Sequence, residues 1–203
     1  ILGDSYVNMT LANIEKGDPM AVYKQLGKAE MFLGITFNNV RVSFLVFAFG
    51  IFTSLFSAFI LFQNGLMVGA FQYFFYQKGL FGLSVLTIYI HGTLELSAII
   101  IAGGAGIIMG NSFLFPGTYS RIQSFRNGAK QGLKIIVGLI PVFIIAGFLE
   151  GFITRMTQMN EIIKIALILS SAIFILVYFI FIPLNIRQHG QHRKDKAVQI
   201  EGL

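Results

Sequence analysis

Between Leu83 and Gly110 the chain stays apolar for longer than a bilayer is thick, yet this stretch holds one histidine, His91, and one glutamate, Glu95. A run of that length and character reads as a membrane-spanning helix. Residues four apart on a helix share a face, so His91 and Glu95 lie on one stripe, which continues through the small residues Ala98, Ala102 and Gly106. Ionisable groups are costly in lipid and turn toward a bundle interior, where they meet partners. This helix is therefore expected at the centre of a membrane bundle, with the other segments wrapped around it.

The composition agrees. Apolar residues make up 55% of the 203 and charged residues 12%, outside the range of a soluble domain with a large core. Cysteine is absent, which excludes disulfides and thiolate metal sites. Tryptophan is absent too, leaving Tyr and Phe for any interfacial belt. The chain opens on Ile1 with no charged-then-apolar leader, so no signal peptide is expected. There is no nucleophile–base pair, nucleotide motif or nucleic-acid signature, and no cofactor or nucleic-acid partner is expected.

Residues 1–37 read as N-terminal cytoplasmic and interfacial helices, at about 4–16 and 18–28, with Met31–Phe37 sliding toward the membrane. Asp18-Pro19 supplies an N-cap acceptor and a first-turn proline. Residues 38–185 read as the transmembrane bundle and 186–203 as a basic cytoplasmic tail. Val40–Phe62 is the expected first span, with Gly50, Ser54 and Ser57 as a small packing face. Gln63-Asn64-Gly65 is a turn signal, and Leu66–Tyr76 has about half the length of a span. The long helix Leu83–Gly110 follows, then a polar connection 111–132. Next come a span from Lys134 to Ile153 containing Pro141, a short loop, and a last span Ile162–Leu184.

Charge placement arbitrates over the half-length piece. If it dips in and returns, every Lys and Arg except Lys78, Arg155 and Lys164 falls on one side; if it crosses, the cations divide almost evenly. The expected fold is thus an all-α polytopic bundle of four full spans plus a half-membrane hairpin. Both termini are then cytoplasmic and the lipid bilayer is the first partner.

In that topology Asn64, His91, Glu95, Glu150 and Arg155 fall in the outer half, and Asn38, Asn39, Arg41 and Arg121 at the inner face. Three readings of the outer cluster stay open. It is a buried structural network with Arg155 and His91 pairing the two acids, a ligand or proton pathway, or a metal centre built from His91, Glu95 and Glu150. Zinc sites prefer more nitrogen or sulfur ligands than this set supplies. Gly103-Gly104-Ala105-Gly106 lacks the ending and the preceding strand of a phosphate loop. With Gly110, Gly147 and Gly151, Gly103 and Gly106 read as helix-packing contacts that serve internal packing and homo-oligomer formation equally well. The tail's His189-Gly-Gln-His192-Arg-Lys is a basic end that favours anionic headgroups.

Taken together, several pieces resemble one family. These are Phe37-Asn38-Asn39-Val40-Arg41-Val42, Phe47-Ala48-Phe49-Gly50-Ile51, Gln63-Asn64-Gly65, His91-Gly92-Thr93-Leu94-Glu95, Ala102-Gly103-Gly104-Ala105-Gly106, Pro116-Gly117 with Arg121, and Ala146 to Thr154, AGFLEGFIT. Their order and spacing are similar to the stage II sporulation protein M family of multi-spanning bacterial membrane proteins, over about residues 35–185, with the N-terminal region as an addition to that core. The resemblance implies a bacterial inner-membrane scaffold with membrane or envelope protein partners. In spore formers the namesake works beside a peptidoglycan-cleaving pair without being the hydrolase. The resemblance brings no catalytic residues, and a transporter or channel component with an intramembrane polar cavity is the alternative.

Overall fold

The structure, a computed structural model, describes residues 1–50 and 54–187. Among them there are helices and turns but no strand. Helix α1 spans Asp4–Glu15, with Asp4 placing negative charge in its first turn. It gives way at Gly17, whose φ of 76° suits a residue without Cβ. A 3-10 turn at Ala21–Lys24 leads into α2, Lys28–Phe49. Helix α3 covers Ser54–Gln77 and α4 covers Phe81–Leu114. Helix α5, Arg121–Phe148, starts at Ser120, whose hydroxyl accepts from the Gln123 amide, and it runs on through Pro141. A π-helical turn, Leu149–Thr154, completes it. Asn160 then caps α6, Glu161–Leu176, by accepting from the Ile162 amide at 2.8 Å. A second π-helical turn, Val177–Phe181, carries α6 on.

Among the described residues, five helical stretches are long and apolar enough to cross a membrane: Lys28–Phe49, Leu55–Gln77, Phe81–Leu114, Arg121–Thr154 and Glu161–Arg187. The chain is thus a multi-pass membrane protein, but its divisions differ from those expected. The anticipated span Val40–Phe62 is divided, since α2 ends at Phe49 and α3 begins at Ser54. The Gln63-Asn64-Gly65 turn does not form. Asn64 Nδ2 donates to the Ile60 carbonyl at 2.9 Å and stays within the helix, so the expected hairpin at 66–76 is the second half of α3. Residues 28–37 open α2, which starts where a helix end was expected and runs unbroken through 37. Residues 121–132 are helical where a connection was expected. The tail from 188 onward, with His189 and His192, and the side chain of Ser54 lie outside the described residues.

Helix α4 is the centre of the bundle and touches α2, α3, α5 and α6. Lipid tails are as apolar as leucine, so helices in a bilayer associate through close packing and not through hydrophobic transfer. The chain achieves this with glycine. A Cβ on Gly50 would stand 2.2 Å from the Gly106 carbonyl oxygen, and one on Gly106 would stand 2.7 Å from Ser57 Oγ and 2.9 Å from the Val46 oxygen. Gly103 receives Leu61, Gly147 receives Thr36, and Gly151 lies against Lys28 and Phe32. Gly110 is buried.

Short loops make neighbouring helices antiparallel, and side-chain contacts fix which loops share an end. Arg155 donates to the carbonyls of Leu26 (2.7 Å) and Lys24 (3.3 Å), and Lys24 Nζ to Thr157 Oγ1 (2.9 Å). Met20 and Tyr23 pack on Phe75 near the end of α3. The N-terminal segment therefore sits at the end of the bundle that carries the 78–80 turn and the 155–160 loop. The opposite end carries Gly50, the 115–120 loop and the far end of α6. The two ends of the described chain thus lie at opposite ends of the bundle, whereas the expected arrangement put both termini on one face.

Candidate functional site

Helix α4 supplies His91 and Glu95 from one face, and the π-helical turn supplies Glu150 and Thr154. Extra-wide turns of this kind recur at functional sites. His91 lies roughly 15 Å along α4 and Glu150 roughly 6 Å before the end of its helix, so both fall toward the end of the bundle that holds the N-terminal segment. One ligand atom each from His91, Glu95 and Glu150 lie within 4.8 Å of one another. His91 Nε2 stands 3.5 Å from Glu150 Oε2. On the other side of the ring, Nδ1 is 3.1 Å from Thr154 Oγ1, and that hydroxyl donates back to the Leu149 carbonyl at 3.2 Å. His91 is buried, and Glu95 and Glu150 are nearly so.

Two further elements close over the cluster. The Tyr23 ring meets the His91 ring edge-on, with centroids 6.0 Å apart, which makes the N-terminal segment one wall of the site. Burial, followed by the nearby Glu150 carboxylate, pushes the Tyr23 hydroxyl well above the ordinary tyrosine range. From α2, the Asn39 side chain is directed at the Glu95 carboxylate. It is buried, yet its Nδ2 closes no hydrogen bond of ordinary geometry there. Thr87 Oγ1, one turn before His91 on the same face of α4, is likewise buried without a partner.

The sequence-derived groups are thus redistributed. His91, Glu95 and Glu150 come together. Asn64 and Arg155 do not join them: the first bonds within α3 and the second caps carbonyls of the N-terminal segment. Among the described residues, no lysine or arginine pairs with Glu95 or Glu150. Asn39 leaves the inner-face group for the acidic cluster, whereas Asn38, Arg41 and Arg121 are exposed. Sequence reasoning missed Tyr23, Thr87 and Thr154. For two of them a signal was present, since Thr87 precedes His91 and Thr154 follows Glu150 by one helical turn. It also passed over Lys164, which is buried at the start of α6 with Nζ 3.4 Å from the Thr157 carbonyl.

The family model described as Stage II sporulation protein M matches residues 4–155. The match takes in α1 and the 3-10 turn, so these are part of the family's pattern and not an addition to it, and it stops before α6. No curated protein and no solved structure matches the chain.

Proposed function

The chain belongs to the stage II sporulation protein M family, and on that footing we propose that it is a non-enzymatic scaffold of the bacterial inner membrane, positioning integral partners for envelope remodelling. All five long helices cross. The C-terminal end faces the cytoplasm, because Arg41, Arg121, Arg126, Lys130, Lys134 and Arg187 lie toward that end and the sequence that follows adds Arg193, Lys194 and Lys196, against fewer cations in the rest of the chain. The His91 cluster then lies in the outer half of the bilayer, beneath the N-terminal segment.

One observation carries the scaffold reading. Gly65 and Gly69 of α3 form a small-xxx-small pair with nothing within 4 Å of the position a side chain would take. Such pairs let a second helix approach closely. In the core of this molecule, Gly50, Gly103, Gly106 and Gly147 are all pressed against a neighbour. The α3 pair offers the same surface outward, beside the exposed Phe62.

The test places a photo-crosslinking residue at Phe62 in cells, with Ile144 on α5 as a control. The scaffold reading expects adducts from Phe62 to an integral protein bearing a peptidoglycan-active domain, and their loss in Gly65→Leu/Gly69→Leu. Lipid adducts alone, or protein adducts indifferent to that double variant, would remove the proposal. Labelling of a cysteine at Gln158 from outside the cell, and at Arg126 only from the cytoplasm, checks the orientation.

A further inference from the structure

We infer that His91, Glu95 and Glu150 bind one divalent first-row metal ion, with Asn39 within reach as a further oxygen donor. This goes beyond the scaffold reading and does not rest on it.

The first argument is the direction of the hydrogen bonds around His91. Thr154 has one hydroxyl proton, and the Leu149 carbonyl takes it. Thr154 Oγ1 can then only accept from His91, which puts the ring proton on Nδ1. The neutral ring therefore turns the Nε2 lone pair toward Glu150 Oε2, 3.5 Å away. Two acceptors facing each other in a dry interior require an electrophile between them. A metal ion serves, and a histidine oriented by an oxygen partner on its other nitrogen is the usual arrangement around one.

The second argument is charge. Two carboxylates converge at depth, and neither is paired with a lysine or arginine among the described residues. The cations nearest in the chain are engaged elsewhere, Arg155 on the Leu26 and Lys24 carbonyls and Lys164 on Thr157. One proton would neutralise one acid, whereas a divalent ion neutralises both. Buried charge persists only where it is compensated in this way.

The third argument is the amide of Asn39. It is buried and its Nδ2 faces Glu95 without closing a hydrogen bond of ordinary geometry there. Such a group is costly. Turned over, the same amide offers Oδ1 to a cation in the cluster, and Thr87 Oγ1 is an unpartnered oxygen on the His91 face of α4. The spacing is suitable. A tetrahedral ion with bonds of about 2.1 Å holds its ligands about 3.4 Å apart; the His91–Glu150 pair is already at that separation, and rotation about the Glu95 side chain brings in the third ligand. One imidazole with carboxylate and amide oxygens suits Mn2+, and less well Zn2+, over softer ions.

The experiment uses the wild-type chain in mild detergent. Protein stripped with a chelator and confirmed monodisperse is titrated with Co2+, followed by visible absorption, and with Mn2+, followed by electron paramagnetic resonance. One saturable site per chain is expected, together with a rise in melting temperature on reloading. His91→Ala abolishes the site. Thr154→Val keeps every ligand but weakens binding about ten- to a hundredfold, and Thr154→Ser restores it. Absence of saturable binding in folded wild-type protein overturns the inference, with protons alone balancing the acids. Binding that survives His91→Ala also overturns it, because the ion would then sit elsewhere.

Discussion

Helices α3 and α4 are comparable in apolar character, and each is long enough to cross a bilayer. Their surroundings are opposite. Of the most apolar stretch of α4, 44% is buried within the chain, against 6% for α3. Hydropathy does not separate them, because lipid and protein interior are equally apolar solvents. The distinction lies in what each helix omits and what it pairs. Gly103 and Gly106 of α4 face side chain or backbone at distances no Cβ tolerates, whereas Gly65 and Gly69 of α3 face open space. His91 and Glu95 of α4 converge with Glu150 and Thr154. Helix α3 is instead pinned at a few points: Ser57 Oγ donates to the Val46 carbonyl at 2.7 Å, Leu61 sits on Gly103, Ser84 of α4 donates to Gln72, and Phe75 is fully buried. Inside a membrane, then, close packing and polar pairing mark the core, and apolarity marks only depth.

The sharpest way to break this comparison is Gly106→Leu. Backbone from α2 lies where the new side chain must go, and backbone cannot swing aside as a flexible side-chain tip can. Overpacking of a core costs about 1–3 kcal/mol, occasionally more, and this site belongs at or beyond the upper end. Little monodisperse protein should be recovered from detergent. A variant with the wild-type melting temperature would mean that α2 and α4 are not in contact at Gly106.

Phe75→Ala comes next. Phe75 is 0% exposed and meets Met20, Tyr23 and Met31, so truncation leaves a cavity and costs about 3 kcal/mol. The loss should be local, appearing as faster proteolysis after the N-terminal segment while His91 keeps its contacts with Glu150 and Thr154. Uniform destabilisation of the whole bundle would show that α3 belongs to the core after all.

The same junction gives a pH dependence. Tyr23 lies outside the long helices, and burial raises its hydroxyl well above the ordinary range. A group with a raised folded-state value contributes stability that is fully present below its unfolded value, about 10 for tyrosine, and that is lost as pH rises through the folded value. Docking of the N-terminal segment should therefore hold to about pH 10 and weaken above it. Tyr23→Phe should flatten that alkaline loss, and a spectrophotometric tyrosine titration locates it. An unchanged alkaline profile in Tyr23→Phe would assign the loss to another group.

How much of this could be read beforehand follows from the same physics. The His91–Glu95 stripe and Glu150 were legible because ionisable residues in lipid-length apolar runs have few places to go. The division between α2 and α3 was not. The sequence between them, Gly50-Ile51-Phe52-Thr53, carries no charge and looks like more span. The polar triplet Gln63-Asn64-Gly65 looked like a turn because a local helical bond from Asn64 to Ile60 leaves no trace in composition. Misplacing that boundary carried Asn39 to the wrong end of its helix and away from Glu95. Arg155 was assigned to the acids because opposite charges attract, but carbonyls at the end of a 3-10 turn offered it partners nearer the bundle surface.

The smallest effect on folding, and the one that tests the contrast most directly, belongs to Gly69→Leu. Nothing stands within 4 Å of the new side chain, and leucine favours a helix over glycine by up to about 1 kcal/mol. The isolated protein should be as stable as wild type or slightly more so. The effect should appear only in association, as loss of whatever helix docks on α3, measured by crosslinking from Phe62. If Gly69→Leu unfolds the chain as Gly106→Leu does, α3 is buried against something within the protein itself and the two helices are alike. If it changes neither folding nor association, the glycine pair is a bystander facing lipid, and the partner must be sought on α6, whose most apolar stretch is only 11% buried.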